Sequence, residues 1–282
     1  MNAHVRRTNC LRPIQDMVQF NDNPLPKPKF MGIRSEYIEL LDLLYSNTMI
    51  SYTTQQPLVV NGLFGTPKGD KIRLIIDGRP SNRVFADPPH VELSGPDRLS
   101  RLTVSSTKVP LYVAKCDLSD FFYRFRTPLW MHKYFGMPPI MSHEVPHLLS
   151  LYGPGVRIWP QLTVLAMGWS HSVFITQMIH EHILDTRTSL VSANRINSIN
   201  DLHINRMRHL VYIDDLIILL IKLNNNMSMK SILLIYQLNH QRYHHHQLQV
   251  LNALVSISMV LITQLVSVRI NFTSYALIQG NY

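Results

Sequence analysis

Tyr212-Ile213-Asp214-Asp215 places two adjacent carboxylates inside an otherwise apolar run from Leu210 to Ile221. An unpaired carboxylate buried in such surroundings costs several kcal/mol or neutralises itself by taking up a proton. Two readings fit the pair. Asp-Asp between apolar half-strands is acceptable hairpin chemistry, with both acids at a solvated tip. Alternatively, the pair holds a divalent cation, whose charge offsets the repulsion between the two acids. A third acid stands upstream in Lys115-Cys116-Asp117-Leu118-Ser119-Asp120-Phe121-Phe122. The pattern predicts a strand from Val109 to Asp117, and a carboxylate at its end can project from a sheet rim toward acids on a neighbouring strand. Asp117 capping the following turn is the alternative. Carboxylates that share two cations about 3.5–4 Å apart are what in-line phosphoryl transfer requires.

The elements that must position these acids follow from pattern and punctuation. Residues 1–34 read as irregular, with Pro24, Pro26 and Pro28 spaced by polar and basic residues. Ser35 can cap a helix to Ser46 that puts Tyr37, Leu40, Leu41 and Leu44 on one face. Leu58–Phe64 and Ile72–Ile76 read as strands joined through Gly65-Thr66-Pro67-Lys68-Gly69-Asp70, a hairpin with a basic tip. A short helix is expected from Pro96-Asp97 into Arg101-Leu102, and a short strand from Lys133 to Met137, closed by Pro138-Pro139. Ser170–Leu184 reads as a helix whose apolar positions are Val173, Ile175, Met178, Ile179 and Ile183, with Ser170 able to cap it. Arg206–Ile213 and Leu216–Ile221 form the last hairpin. No repeat is visible. The order of elements predicts an α+β architecture, with a β-hairpin core packed by helices, rather than a doubly wound sheet.

Composition narrows the class. The chain has 282 residues, 46% of them hydrophobic, enough for a real core in one large or two small domains. A net charge of +9 and a pI near 9.6 favour a polyanionic partner, nucleic acid before membrane, or else simply a basic solvated surface. Cys10 and Cys116 are too few for a disulfide framework, and Cys116 falls in an apolar strand, which fits a reducing compartment. Arg6, Arg7 and Arg12 flank no apolar segment, so the N-terminus is not read as a signal peptide and an intracellular location, cytoplasm or nucleus, is expected. After Asp215 there is no Asp or Glu in 67 residues, whereas all 18 acids lie before that point. Lys222, Lys230, Arg242 and Arg269 make this tail +4, and it carries Asn224-Asn225-Asn226 and His244-His245-His246. So sharp a break is unusual within one globular domain. Val250–Val268 is a charge-free run of 19 residues, but Asn252, Gln264 and its serines argue against a membrane span, so no obligate membrane partner is expected. His180-Glu181-His182 lacks the spacing of a zinc helix and is read as helix surface.

Four motifs, in order, resemble the fingers and palm of the reverse transcriptases of retroviruses and retrotransposons. Lys71-Ile72-Arg73-Leu74-Ile75-Ile76-Asp77-Gly78-Arg79-Pro80-Ser81-Asn82 resembles the fingers motif, a basic strand followed by Asp-x-Arg-x-x-Asn. Asp117–Phe122 resembles the first palm motif, and Leu165-Ala166-Met167-Gly168-Trp169-Ser170-His171-Ser172 the glycine-centred motif before the palm helix. Tyr212–Asp215 resembles the Tyr-x-Asp-Asp signature. The likeness covers residues 55–221. It implies that Asp117 and Asp214 are the principal ligands of two Mg2+ ions, with Asp215 less directly engaged and Mn2+ able to substitute. It implies further that Lys68, Lys71 and Arg73 clamp the incoming triphosphate. Asp120 would offer its backbone amide near the sugar 3′-hydroxyl, and Phe122 would exclude a ribose 2′-hydroxyl, although Phe121 beside it competes for that role. Met167 and Gly168 would face the nucleotide, and Arg79 and Gly168 the template. Met167 stands where many members carry glutamine, and Ala166 where proline is usual.

The resemblance implies an N-terminal extension with one helix over 1–54, fingers over 55–110, palm over 111–221, and an atypical tail over 222–282 in place of a thumb, which is absent or degenerate. The expected function is RNA-directed DNA polymerisation by a retroelement, adding dNTPs to the primer 3′-hydroxyl of an RNA/DNA template-primer. The alternatives are an inactive truncated remnant that binds nucleic acid and an RNA-dependent RNA polymerase, against which Phe122 and Tyr212 argue. Nothing in the sequence fixes an oligomeric state.

Overall fold

The computed structural model describes residues 27–69, 71–104, 111–197, 203–204, 207–220 and 255–256. The side chains of Lys68 and Lys71, residues 1–26, Arg206, the triple histidine and nearly all of 222–282 lie outside the described residues. Helices are α1 Arg34–Ser46, α2 Arg79–Val84, α3 Pro96–Ser100, α4 Leu129–His132, α5 Pro146–Tyr152 and α6 Ser170–Arg187. Strands are β1 Ile50–Thr53, β2 Gly62–Lys68, β3 Lys71–Asp77, β4 Thr103–Val104, β5 Tyr112–Leu118, β6 Ile140–Met141, β7 Arg157–Leu162, β8 His203–Ile204, β9 Met207–Tyr212, β10 Asp215–Leu220 and β11 Val255–Ser256. The class is α+β. The chain divides into two compact units, Met1–Pro89 with Phe122–Ser172, and His90–Phe121 with Val173–Tyr282.

In the first unit α1 begins one residue before Ser35, and the cap falls on Ile33 instead: its N–H donates to the Glu36 carboxylate at 3.1 Å. Tyr37, Leu41 and Leu44 are buried, and the Tyr37 hydroxyl donates to the Pro138 carbonyl at 2.7 Å. β1, β7 and β6 form an antiparallel sheet. β2 and β3 form a separate hairpin whose pairing runs from Gly62↔Asp77 to Lys68↔Lys71. Gly65-Thr66-Pro67-Lys68, expected as turn, is therefore strand, and Gly69 at φ +59 is the bend. Among the described residues this ribbon has two strands, so Pro67 lies on an edge strand, where proline is tolerated. The strand expected over Lys133–Met137 does not form. α4 runs into a turn there, Gly136 makes only isolated bridges, and the strand starts at Ile140 beyond the two prolines.

In the second unit the sheet order is β11-β5-β10-β9, antiparallel throughout. Leu216–Leu220 is buried at every position because both sheet faces are covered. Leu216, Ile218 and Leu220 pack with Ala114, Cys116, Leu184 and Val211, while Ile217 and Leu219 pack with Leu99, Ile196 and Leu210. α6 does not bury the face that its apolar residues predict. His171, Ser172, Thr176, Gln177, His180 and Leu184 are its buried positions, whereas Met178 is 38% exposed and Val173, Ile175, Ile179 and Ile183 are only half-buried. Ser170, expected as the cap, is the first residue of the helix itself, and its N–H donates to the Asn82 Oδ1 at 2.9 Å. Among the described residues no helix is long and apolar enough to cross a membrane.

Candidate active site

The three acids meet at one end of the β5–β10–β9 sheet. Asp215 is the register partner of Asp117 on one side and of Tyr212 on the other. The Leu118 N–H donates to the Asp214 carbonyl at 3.0 Å, which closes this end of the sheet. Residues directly opposite in an antiparallel pair share a face with Cβ atoms about 4.5–5.5 Å apart, and like charges there destabilise. Asp117 and Asp215 are such a pair. Lys115 offsets part of the repulsion, with its ammonium 3.0 Å from the Asp215 carboxylate. All three acids are half-buried, so the site is neither dry nor fully solvated. Cys116 points to the opposite, buried face; burial first, and then Asp117 and Asp215, push its thiol up to about 12, which keeps it inert.

The hairpin tip is strained. Ile213 has φ +57, while Asp214 does not share the positive φ, so the first central position alone is left-handed. Glycine normally occupies that place in such a turn, and a β-branched residue there is a genuine outlier costing on the order of 1–3 kcal/mol. Two buried side chains of α6 hold the outlier. The Gln177 Oε1 accepts from the Ile213 N–H at 2.7 Å, and its Nε2 donates to the Glu181 carboxylate at 2.7 Å and the Val211 carbonyl at 3.2 Å. The His180 Nδ1 lies 2.8 Å from the Ile213 carbonyl. A carbonyl only accepts, so Nδ1 carries the proton. His180 is thus fully buried, packed edge-on against Phe121 at 5.6 Å, and not on the helix surface as its sequence context suggested. The signal available in the sequence was Gln177 and His180 at helical spacing i, i+3, a polar pair on one face of α6.

The imidazoles of His180 and His209 make the fold acid-sensitive. Burial, the leading cause at both, depresses each from the ordinary 6.5 to about 4. Between those values the unfolded chain binds protons that the folded chain refuses, so stability is complete above about pH 6.5 and is lost as pH falls toward 4. Thermal midpoints should therefore be lower at about pH 5 than at about pH 7.5. His209 is fully buried, and among the described residues neither ring nitrogen has a hydrogen-bond partner, so His209→Leu should shrink the difference without destabilising at neutral pH. An unchanged pH dependence in that variant would count against the assignment.

In the first unit the fingers and glycine-centred motifs come together. The Asn82 side chain donates to the Gly168 carbonyl at 3.1 Å as well as accepting from Ser170. The Ile76 N–H donates to the Met167 carbonyl at 3.2 Å. Gly168 has φ +120, and a Cβ there would stand 2.2 Å from the Ile76 carbonyl oxygen; a Cβ at Gly78 would meet the Gly168 carbonyl oxygen at 2.4 Å. Close backbone approach within the protein is thus one reason for both glycines. Asp77 takes the Arg79 guanidinium in a two-pronged ion pair at 2.7 and 2.6 Å, which holds the Asp77 carboxyl below its usual range. Arg73 is exposed on β3, and Lys68 and Lys71 are register partners at the hairpin end. Phe121 is 2% exposed and Phe122 half-buried, so Phe121 is the core ring and Phe122 the ring with free surface. Asp120 is exposed with φ +55, a conformation aspartate tolerates.

No protein-family model matches this sequence, and no curated protein matches it. Solved structures do. A foamy viral protease-reverse transcriptase in complex with double-stranded DNA superposes with a TM-score of 0.50 at 14% identity, over 84% of this chain and 40% of that one. A second structure of a foamy viral protease-reverse transcriptase with double-stranded DNA gives a TM-score of 0.50 at 13% identity, over 84% of this chain and 33% of that one. The fold is reverse-transcriptase-like. This chain spans well under half the length of either viral protein.

Among the described residues no three His, Cys, Asp or Glu side chains converge into a ready-made metal cage. A full cage of side chains is not needed for an ion such as Mg2+, which keeps waters and binds through one or two carboxylates plus substrate phosphates. Asp117 and Asp214 offer hard oxygen donors, and Lys115 engages the third acid. Lys115→Met should leave Asp117 and Asp215 unrelieved. It should cost less than about 1 kcal/mol, because the pair is partly solvent-screened. Melting with and without Mg2+ should show a larger cation-induced stabilisation in the variant than in the wild type.

Proposed function

We propose that this chain comprises the fingers (55–110) and palm (111–221) of an RNA-directed DNA polymerase of a retroelement. The observation that carries the reading is the cross-strand register of Asp117 and Asp215, with Asp214 held at the adjoining strained turn. Asp117 and Asp214 would hold two Mg2+ ions, or Mn2+ in their place, with Asp215 nearby. The bound cations supply charge that stabilises both the attacking and the leaving oxygens of an in-line displacement. Lys68, Lys71 and Arg73 would bind the triphosphate of a dNTP, for which cations gathered on one hairpin are suited. Asp120 would present its backbone amide to the sugar 3′-hydroxyl. Phe122 would stand against a ribose 2′-hydroxyl, and Met167 and Gly168 against the nucleotide. Arg79, steadied by Asp77, and Gly168 would face the template. The foamy viral proteins were solved with double-stranded DNA, which supports a template-primer duplex as partner.

A second reading, a nucleic-acid-binding remnant without activity, is favoured by the tail, where acidic residues stop at Asp215. Primer extension on an RNA template with Mg2+ separates the two. The polymerase reading expects extension with dNTPs, at least about 10²-fold less with ribonucleotides, and loss of that discrimination in Phe122→Ala. Binding without extension would establish the remnant, and equal use of ribonucleotides the RNA polymerase. Affinity for the duplex should fall steeply with salt, since basic groups on phosphates would carry it.

A further inference from the structure

We infer that Gln177 and His180 are positioning residues for the catalytic acids: together they clamp Ile213 in its left-handed conformation and so fix where Asp214 points. The inference rests on the polymerase reading for its consequence, but its geometry stands apart from it. Both side chains come from one buried polar stripe of α6 and reach opposite ends of a single residue, Gln177 its N–H and His180 its carbonyl. Each is essentially solvent-free, at 1% and 0% exposure. Buried polar groups of this kind are costly unless every bond is made, so they specify one geometry and resist another.

Ile213 shows why a clamp is needed. Unassisted, a β-branched residue leaves positive φ for an extended or right-handed conformation. That rotation would swing the peptide linking Ile213 to Asp214, and with it the carboxylate that follows. Gln177 also takes the Val211 carbonyl, and its amide is steadied by Glu181, which in turn pairs with Arg195 at 3.0 Å. The clamp is therefore braced from behind. Asp117 lies instead within β5, an extended strand held in register between β10 and β11. Asp214 follows directly on the positive-φ residue, so its direction depends on that residue being held.

The test uses the full chain with Gln177→Met, His180→Leu and His180→Asn, each also in an Ile213→Gly background. Asparagine places an N–H donor close to where Nδ1 stands, and glycine adopts positive φ without strain. Hydrogen exchange at residues 212–214 should quicken at least about 10-fold in Gln177→Met and His180→Leu, while β5 and the rest of β10 keep their protection. Mn2+ affinity should weaken about 10-fold and kcat for extension fall about 10²-fold, the scale of a misplacement near 1 Å, with KM for dNTP little changed. His180→Asn should recover most of each loss, and the glycine background should reduce the penalties. Unchanged exchange and Mn2+ affinity in both variants would overturn the clamp, as would equal penalties with glycine at position 213. If the single variants unfold, recovery of folding in the glycine background supports the clamp and failure to recover refutes it. A wild type that neither binds Mn2+ nor extends a primer removes the polymerase reading, and hydrogen exchange then decides the clamp by itself.

Discussion

Asp117→Asn and Asp214→Asn should each reduce Mg2+-dependent primer extension by at least about 10³-fold, equivalent to several kcal/mol of lost charge stabilisation. Asparagine keeps the shape of the side chain but cannot carry the charge that binds a hard cation. Asp215→Asn should cost far less, about 10-fold, because Lys115 already engages that carboxylate. The same substitutions should not harm the fold. Asp117 and Asp215 stand opposite one another as like charges, so removing the Asp117 charge without metal should leave thermal stability unchanged or slightly raised, whereas Asp215→Asn also gives up the Lys115 ion pair. Activity and stability thus move in opposite directions, a pattern that a merely structural carboxylate would not produce. Retention of more than a tenth of the activity by Asp214→Asn would end the two-metal assignment. Steady-state extension kinetics and thermal melts on one set of purified proteins check both halves.

Gly168→Ala should be the most destabilising small substitution in the first unit, at about 3 kcal/mol or more. Two costs combine. The new Cβ would lie 2.2 Å from the Ile76 carbonyl oxygen, a backbone atom with no rotamer by which to retreat, and φ at this position is +120. Positive φ of that kind is essentially restricted to glycine, and forced close packing adds a further 1–3 kcal/mol or so. Gly78→Ala should behave similarly, since its Cβ would meet the Gly168 carbonyl oxygen at 2.4 Å. The two sites press on the same crossing of backbones, so the double variant should fall short of the sum of the singles. Denaturant titration monitored by Trp169, which is buried beside this crossing, is the direct measurement. A loss below about 1 kcal/mol for Gly168→Ala would show that the backbone yields more easily than the hydrogen bonds from Asn82 to Gly168 and from Ile76 to Met167 suggest.

The elements that were legible in the sequence are those whose signal is local. The β9–β10 hairpin shows as two apolar runs around Ile213-Asp214, and the α1 core positions Tyr37, Leu41 and Leu44 show as helical spacing. The β2–β3 hairpin was legible in kind but not in extent. Thr66-Pro67-Lys68 carries turn residues, yet the ribbon continues through them to the Lys68↔Lys71 pair. Lys133–Met137 failed for the opposite reason: its aromatic and apolar residues suit a strand, but Tyr134, Phe135 and Met137 are buried by packing in a turn. The least legible element was the working face of α6. Hydrophobic periodicity looks for apolar side chains, and this helix buries Ser172, Thr176, Gln177 and His180 instead.

The sequence by itself determined the inventory: three acids in two motifs, a basic hairpin, a glycine between apolar neighbours, and an α+β order of elements. Those are properties of residue type and short spacing, and no folding is needed to see them. Tertiary structure alone decided which acids face each other, that Phe121 rather than Phe122 is the core ring, and that His180 is buried against the carbonyl of Ile213. It also decided that Gln177, 36 residues before Ile213 in the chain, holds its amide. The physical reason is that a hydrogen bond to a backbone group leaves no mark in the sequence of the residue it reaches. Ile213 reads as one more apolar residue in a strand, and only the closed sheet, with α6 laid against it, shows the strain it carries.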